Sequence, residues 1–365
     1  MSTTQRRADA LSIGVQAGAP LLLWGPPGVG KSATVEAVVA ALRRPCVTVI
    51  GSLREASDFA GLPVRTDAGV RFVPPAWAEQ AAADPRTVIF LDELTSAPPS
   101  VQAAMLRLVL DRRIGDLVLP DSVAIVAAAN PPEVAADGFG LAPPLANRFC
   151  HLHWTIEPAA WVDGMTAGWP DVEVARLPAD WCAGVPRWRA LVASFIRARP
   201  TLLLDVPDDS ERGGGAWPSP RSWDLAARLA AATDAADVGE TALLELVTGC
   251  VGHGAAIELL VWVAELDLPD PEDLLADPTS ADLPERGDRL HAVLASVVAA
   301  VSGDRSRGRW EAAWEVLARV VDAGGADVAA VAARSLASMR DPSWPAPFAL
   351  DAFLPLLRSA GLVDG

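Results

Sequence analysis

Lysine is almost absent from this chain. Of its 30 basic residues only Lys31 is lysine, and every other one is arginine. That usage points to a GC-rich coding bias that places Arg wherever Arg will serve, so a position that keeps Lys has a reason to. Tyrosine is missing altogether while tryptophan reaches 13, and the tryptophans read as core and packing residues rather than a ligand cage. The four cysteines, Cys46, Cys150, Cys182 and Cys250, form no C-x-x-C pair, which argues for a reduced, cytoplasmic, metal-free protein. His151 and His153 would share one face of a strand, but no further ligands accompany them, so structural or surface roles are expected. No apolar run reaches membrane-spanning length without a charge or proline, and the first residues lack an apolar leader, so neither a span nor a signal peptide is expected. No Lys/Arg block exists beyond pairs such as Arg6-Arg7, Arg43-Arg44 and Arg112-Arg113, and the net charge is −16. That balance argues against non-specific nucleic-acid binding, while leaving open a local basic pore made by oligomerisation.

What is present begins with the lone lysine. Gly25-Pro26-Pro27-Gly28-Val29-Gly30-Lys31-Ser32 matches G-x-x-x-x-G-K-[ST] at every fixed position. An ammonium on a thin stem reaches phosphate oxygens inside a tight loop, where a planar guanidinium is too wide. Leu21 to Trp24 is a short apolar run of the kind that forms a buried strand, and Ser32 to Leu42 lacks Gly and Pro and reads as a helix. Strand, glycine loop and helix aim backbone N–H groups and a helix N-terminus at phosphate. The expected binding set is Gly25, Pro26, Pro27, Gly28, Val29, Gly30, Lys31, Ser32 and Ala33, holding ATP, with Ser32 offering its hydroxyl to Mg²⁺.

Further along, Val88-Ile-Phe-Leu91 runs into Asp92-Glu93. A buried strand that ends in two carboxylates suits a metal-bound triphosphate: Asp92 for the Mg²⁺ shell, Glu93 to polarise the attacking water. Ser122 to Ala129 reads as another strand, ending at Asn130, which could position that water. Ser100 to Asp111 has helical period with Ser100 as N-cap, and a last strand is expected near 149–154. Hairpins are expected around Asp67-Ala68-Gly69 and around Gly115. Alternating strands and helices make residues 1–153 a doubly wound α/β core. Residues 154–267 read as a helical lid, with a loop over 205–220, and 268–365 as a further helical region beginning with a Pro- and Asp-rich linker at 268–283.

Five segments in order and spacing resemble the AAA+ ATPases, and within them the MoxR-like branch: GPPGVGKS (25–32), VIFLDEL (88–94), AAANPPE (127–133), PLANRF (144–149) and SPRSW (219–223). The resemblance covers about residues 1–265. Ser57 to Pro63 with its hairpin to Pro75 resembles the helix-2 insert of that branch, and Arg112 to Leu119 its pre-sensor-1 hairpin. By resemblance, Asn130 is sensor 1, Arg148 an arginine finger acting on a neighbour's nucleotide, and Arg221 sensor 2 in the lid. The resemblance also implies a hexameric ring and a protein client remodelled or matured together with a von Willebrand A-domain partner. Two other readings stay open on the sequence. One is a DNA-associated motor, for which Arg65, Arg71, Arg112 and Arg113 on the two hairpins would supply charge. The other is a slowly hydrolysing, ATP-gated assembly switch.

Overall fold

The computed structural model describes residues 3–67, 69–131, 139–169, 171–207, 214–266, 268–279, 282–284, 286–347, 349 and 353. Pro132 and Glu133 of the AAANPPE segment, Ala68 of the first hairpin and part of the 205–220 loop lie outside the described residues. The chain divides into two compact units, residues 1–181 with 202–257, and residues 182–201 with 258–365. The helical segment expected at 154–267 is thus shared between them, since Val185–Ala198 belongs to the second unit.

The first unit is built on a parallel sheet in the order β2-β5-β8-β1-β9, comprising β1 (Leu21–Trp24), β2 (Cys46–Ile50), β5 (Val88–Asp92), β8 (Ala124–Ala129) and β9 (Cys150–His153). The inner strands are apolar along their length because helices cover both faces: every residue of β1 and β8 is buried. Edge strand β2 instead alternates buried and exposed residues. In register, Leu21 lies beside both Val126 and Cys150, and Phe90 beside Val126. The carboxyl ends of β1, β5 and β8 therefore open onto one crevice, where ligands of open α/β sheets bind.

Both expected hairpins form. One pairs β3 (Leu62–Thr66) with β4 (Gly69–Val73), all exposed; the other pairs β6 (Arg113–Ile114) with β7 (Leu117–Val118). They touch through backbone. A Cβ on Gly115 would fall 2.4 Å from the Phe72 carbonyl oxygen, and one on Gly61 2.8 Å from the Gly115 Cα. Asp116 closes the contact: its N–H donates to Phe72 O at 2.9 Å, its carboxylate accepts from Phe72 N at 3.0 Å, and it pairs with Arg71 at 3.6 Å.

Several local expectations need correction. Arg112 is not a hairpin cation facing outward. It caps the Pro99–Asp111 helix in left-handed backbone (φ 52°), and its guanidinium donates to Val123 O; burial pushes its pKa down. The N-cap of that helix is Pro98, not Ser100, because Pro99 occupies the first helical position, where a missing N–H costs nothing. The stretch expected as linker at 268–283 contains a short helix, Pro271–Ala276, capped by the Asp270 side chain. Residues 286–320 form two helices, Gly287–Gly303 and Arg307–Asp322.

The second unit buries Trp310 and Trp314 edge to face, with ring centroids 6.1 Å apart, among Val297, Leu317 and Phe353. Trp310 Nε1 donates to Leu336 O at 2.8 Å, so a large apolar ring enters the core with its one polar atom satisfied. Arg309 forks onto both carboxylate oxygens of Glu272, at 2.6 and 2.8 Å.

A buried histidine ties β1 to the turn before β9. His151 Nδ1 accepts from Trp24 Nε1 at 2.8 Å, which leaves the proton on Nε2, facing Ala146 O at 2.9 Å. A second proton would set two donors against each other, and burial lowers the pKa from 6.5 to about 4. The folded pKa lies below the unfolded one, so as pH falls the unfolded chain takes the proton first. Stability is lost from about pH 6.5 down to about 4, by on the order of 3 kcal/mol. Protonation of the many carboxylates changes stability in the same range, so the comparison is with His151→Leu. The variant should be less stable at pH 7.5, and most of that gap should close by pH 4.5 in urea unfolding midpoints; a constant gap would contradict a neutral His151.

Candidate nucleotide site

The glycine loop follows from the end of β1. Gly25 N–H donates to Ala129 O at 3.2 Å, so the loop starts against β8, and a Cβ at Gly25 would sit 2.5 Å from the Trp154 carbonyl oxygen. Gly28 and Gly30 have φ of 82° and 86° with no atoms crowding them, so backbone conformation alone demands glycine there. Gly30 is the N-cap of the Lys31–Ala41 helix, whose first N–H groups face the loop without intrahelical partners. Pro26, Pro27 and Gly28 are exposed, Val29 is half-buried, and Ala33 lies exposed in the first helical turn.

Lys31 is 8% exposed. Its Nζ donates to Gly25 O at 2.5 Å, Pro26 O at 3.0 Å and Asn130 Oδ1 at 2.8 Å. Burial lowers its pKa, and the charge of Asp92 opposes that shift. Asp92 ends β5, and its Oδ2 accepts from Ser32 Oγ at 2.7 Å, while Oδ1 accepts the Glu93 N–H at 2.9 Å. Glu93 is exposed and holds left-handed backbone (φ 56°, ψ 42°), an uncommon conformation for a non-glycine residue, which here Arg43, Arg112 and Asp237 also adopt. Asn130 is fixed from behind by Thr95, whose hydroxyl donates to Asn130 O at 3.1 Å and accepts from Asn130 N at 3.2 Å.

Lys31, Ser32, Asp92 and Asn130 are thus brought within hydrogen-bond reach in one cluster. Two partners escaped sequence reasoning. Thr95 orients Asn130, and Ser52 donates to the Glu93 carboxylate. Thr95 lies two residues beyond the acidic pair and could have drawn attention; a serine one residue beyond a glycine after β2 carries no such signal.

Arg148 and Arg221 stand elsewhere. Arg148 precedes β9, whose first residue pairs with Leu21, the first residue of β1. It therefore lies toward the amino end of the strands, whereas Gly25 follows the carboxyl end of β1. Its Nη1 donates to Pro144 O, while its Nε is buried and has no partner among the described residues. Burial lowers its pKa, and so does the nearby charge of Arg221. The two arginines are held together through Asn147: its Oδ1 accepts from Ser219 Oγ at 2.8 Å and its Nδ2 donates to Trp217 O at 3.3 Å. Ser219 forms a capping box with Ser222 at the start of the Pro220–Ala236 helix, which carries Arg221, exposed, in its first turn.

No helix among the described residues is long and apolar enough to cross a membrane, and none of them form a group of three or more His, Cys, Asp or Glu placed to hold a metal ion. Residues 20–149 match the family model of the AAA domain, dynein-related subfamily. A 159-residue stretch, 41% of this chain, is 30% identical to midasin of Giardia intestinalis, of which it spans 3%. A crystal structure of a "putative ATPase" from Cytophaga hutchinsonii is similar over 67% of this chain and 80% of that one, at 17% identity and a TM-score of 0.41. With the parallel sheet, the glycine loop and the match of residues 20–149 to the AAA-domain model together, the α/β core of this chain has the AAA+ fold.

Proposed function

We propose that the chain is an ATPase of MoxR-like type that works as a hexameric ring, coupling ATP binding and hydrolysis to remodelling or maturation of a protein client alongside a von Willebrand A-domain partner. The observation that carries the ATPase reading is the convergence of Lys31, Ser32, Asp92 and Asn130 at the carboxyl ends of β1, β5 and β8. The MoxR-like assignment, the client and the partner rest on the order and spacing of the five motifs and on the two hairpins. The hairpins lend little to a DNA motor, because Arg71 is paired with Asp116 and Arg112 is turned inward.

The donor set fits Mg²⁺: Ser32 Oγ and Asp92 Oδ2 are hard oxygens already 2.7 Å apart. An ion held there would offset negative charge on the bound triphosphate. The chain supplies the rest. Backbone N–H groups from Gly28 to Ala33 and the Lys31 ammonium hold the triphosphate, the ammonium exchanging its carbonyl partners for phosphate oxygens. Asn130 positions the attacking water, and Glu93 takes its proton as the oxygen bonds to the γ-phosphorus and ADP leaves.

The position of Arg148 before β9, toward the amino end of its own sheet, supports its acting on a nucleotide held by another copy. Arg221, fastened beside it through Asn147 and Ser219, serves the same foreign nucleotide. Two guanidiniums that repel one another, one with an unused buried N–H, form a receptor for an anion supplied from outside.

Three measurements test this reading. Glu93→Gln should bind ATP with near-normal affinity yet hydrolyse it about 10²-fold more slowly or worse; turnover at the parent rate would remove Glu93 from the role. Arg148→Ala and Arg221→Ala should each lower turnover, by about 10³-fold for the finger. Mixing either with Glu93→Gln subunits should restore part of the activity, because intact halves of two defective sites can meet; no recovery from any mixture would count against action between copies. Lys31→Arg keeps the charge but should weaken binding of a fluorescent ATP analogue about 10-fold or more, since the wide fork cannot make the loop's charged hydrogen bonds. Unchanged affinity in a variant that circular dichroism shows folded would make the single lysine a compositional accident.

A further inference from the structure

After the Pro158–Ala167 helix the chain runs back along the Thr3–Gln16 helix as an irregular strap. Gln5, Asp9, Ser12 and Gln16 recur at helical spacing and form one polar stripe that fastens it. Gln5 Nε2 donates to Glu173 O at 2.8 Å, and the Asp9 carboxylate accepts the Ala175 N–H. Ser12 Oγ and Gln16 Nε2 donate to Ala175 O at 3.4 and 2.8 Å, and Leu177 N donates to Gln16 Oε1 at 3.2 Å. Arg176, between two fastened residues, reaches across to the carboxyl end of the Lys31–Ala41 helix, where its Nη2 donates to Ala41 O at 3.0 Å.

A cavity of about 270 Å³ lies between this strap and the ends of the two helices. Leu42, Leu177, Pro178 and Trp181 give it apolar walls, and its charged lining is Arg44 from the body and Arg176 from the strap. Arg44 Nη1 donates to Val15 O at 3.3 Å, so each guanidinium has one N–H on a backbone carbonyl. Among the described residues neither is paired with a carboxylate. Asp84, whose charge Arg44 feels, is already held by Arg86 at 2.8 and 3.2 Å. Burial pushes the Arg44 pKa down, and the charge of Arg86 adds to that shift. The negative end of the Lys31–Ala41 helix supplies about half a charge, too little to balance two cations. Gln16 also lines the cavity, but its amide is engaged by Ser12 O, Ala175 O and Leu177 N. The polar groups left for a ligand are the two guanidiniums.

We propose that this cavity is a second ligand site, separate from the nucleotide site, for a small organic anion: a carboxylate or phosphate head on Arg44 and Arg176, and an apolar body against Leu42, Pro178 and Trp181. Planar forks with unused N–H groups match heads that present two oxygens. The volume is at the small end for ligand cavities, which suits a compact body. A chain of net charge −16 has no general attraction for anions, so affinity has to come from this pair. The site lies at the opposite end of the Lys31–Ala41 helix from the glycine loop, and it stands or falls independently of the ATPase reading.

The test is fluorine NMR titration of the full chain with three probes of one shape: para-fluorobenzoate, para-fluorophenyl phosphate and the neutral para-fluorobenzyl alcohol. At least one anion should bind with a dissociation constant of about 1 mM or below, and the tighter of the two identifies the head group. The alcohol should bind about tenfold more weakly or worse, as loss of charged hydrogen bonds requires. Saturating MgATP should leave the anion in place. Arg44→Gln and Arg176→Gln should each weaken the anion about tenfold or more and leave the alcohol unchanged. Arg176→Gln is the safer variant, because the strap keeps its bonds to Gln5, Asp9, Ser12 and Gln16. Failure of both anions to bind, equal binding of the alcohol, displacement by MgATP, or full affinity in a folded Arg176→Gln overturns the site. A loss of thermal stability in the arginine variants of a chain that binds neither anion would reduce the pair to fasteners of the strap.

Discussion

A nearly buried ammonium needs oxygen around it, and the geometry of this site follows from how that need is met. Lys31 is answered by two loop carbonyls and by the Asn130 side-chain oxygen. The carbonyls are available because Gly25 and Gly30 let the loop close over the side chain; the asparagine is available because β8 lies directly beside β1, with Trp24 opposite Ala129. Thr95 holds the asparagine from the far side, and Thr95 stands where it does because β5 is the next strand over. One cation thus draws on three adjacent strands, and the order of the sheet is what makes them adjacent. None of those oxygens is a carboxylate, so the positive charge is solvated without being cancelled, as binding a polyanion requires.

The arginines at the other end obey different physics. Arg148 and Arg221 are not solvated into place by converging strands; they are held by a helix cap. Ser219 uses its hydroxyl both to cap the Pro220–Ala236 helix and to bond Asn147, so the start of that helix and the turn before β9 share one fastening. His151 joins the same turn to Trp24 in β1 through Ala146. A bonded path therefore runs from the residue before the glycine loop to the arginine pair.

Much of the core was legible in the sequence because its determinants are local. The β1, β5 and β8 strands declare themselves as apolar runs, the loop by its glycines and lysine, and the acids by their place at a strand end. What was illegible depends on neighbours distant in the chain. Arg112 reads as a hairpin cation from its position after a helix, yet only the approach of Val123 reveals that it turns inward. Ser52 has no motif at all, and its bond to Glu93 exists because β2 pairs with β5. The nearness of Arg148 to Arg221 comes from residues far apart in the chain meeting at Asn147, and 271–276, within the Pro- and Asp-rich stretch, forms a helix because Pro271, Glu272 and Asp273 suit a first turn.

The solitary lysine also gives the molecule an unusual chemical signature. Its ε-amino group is the sole one in the chain, and it is buried under a loop where a bound polyanion would shield it further. Amine-directed acylation therefore has one side-chain target, and a protease specific for lysine has one peptide bond to cut, Lys31–Ser32, at the mouth of the helix. Modification or cleavage there becomes a direct count of molecules whose glycine loop has opened, with no background from any other side chain.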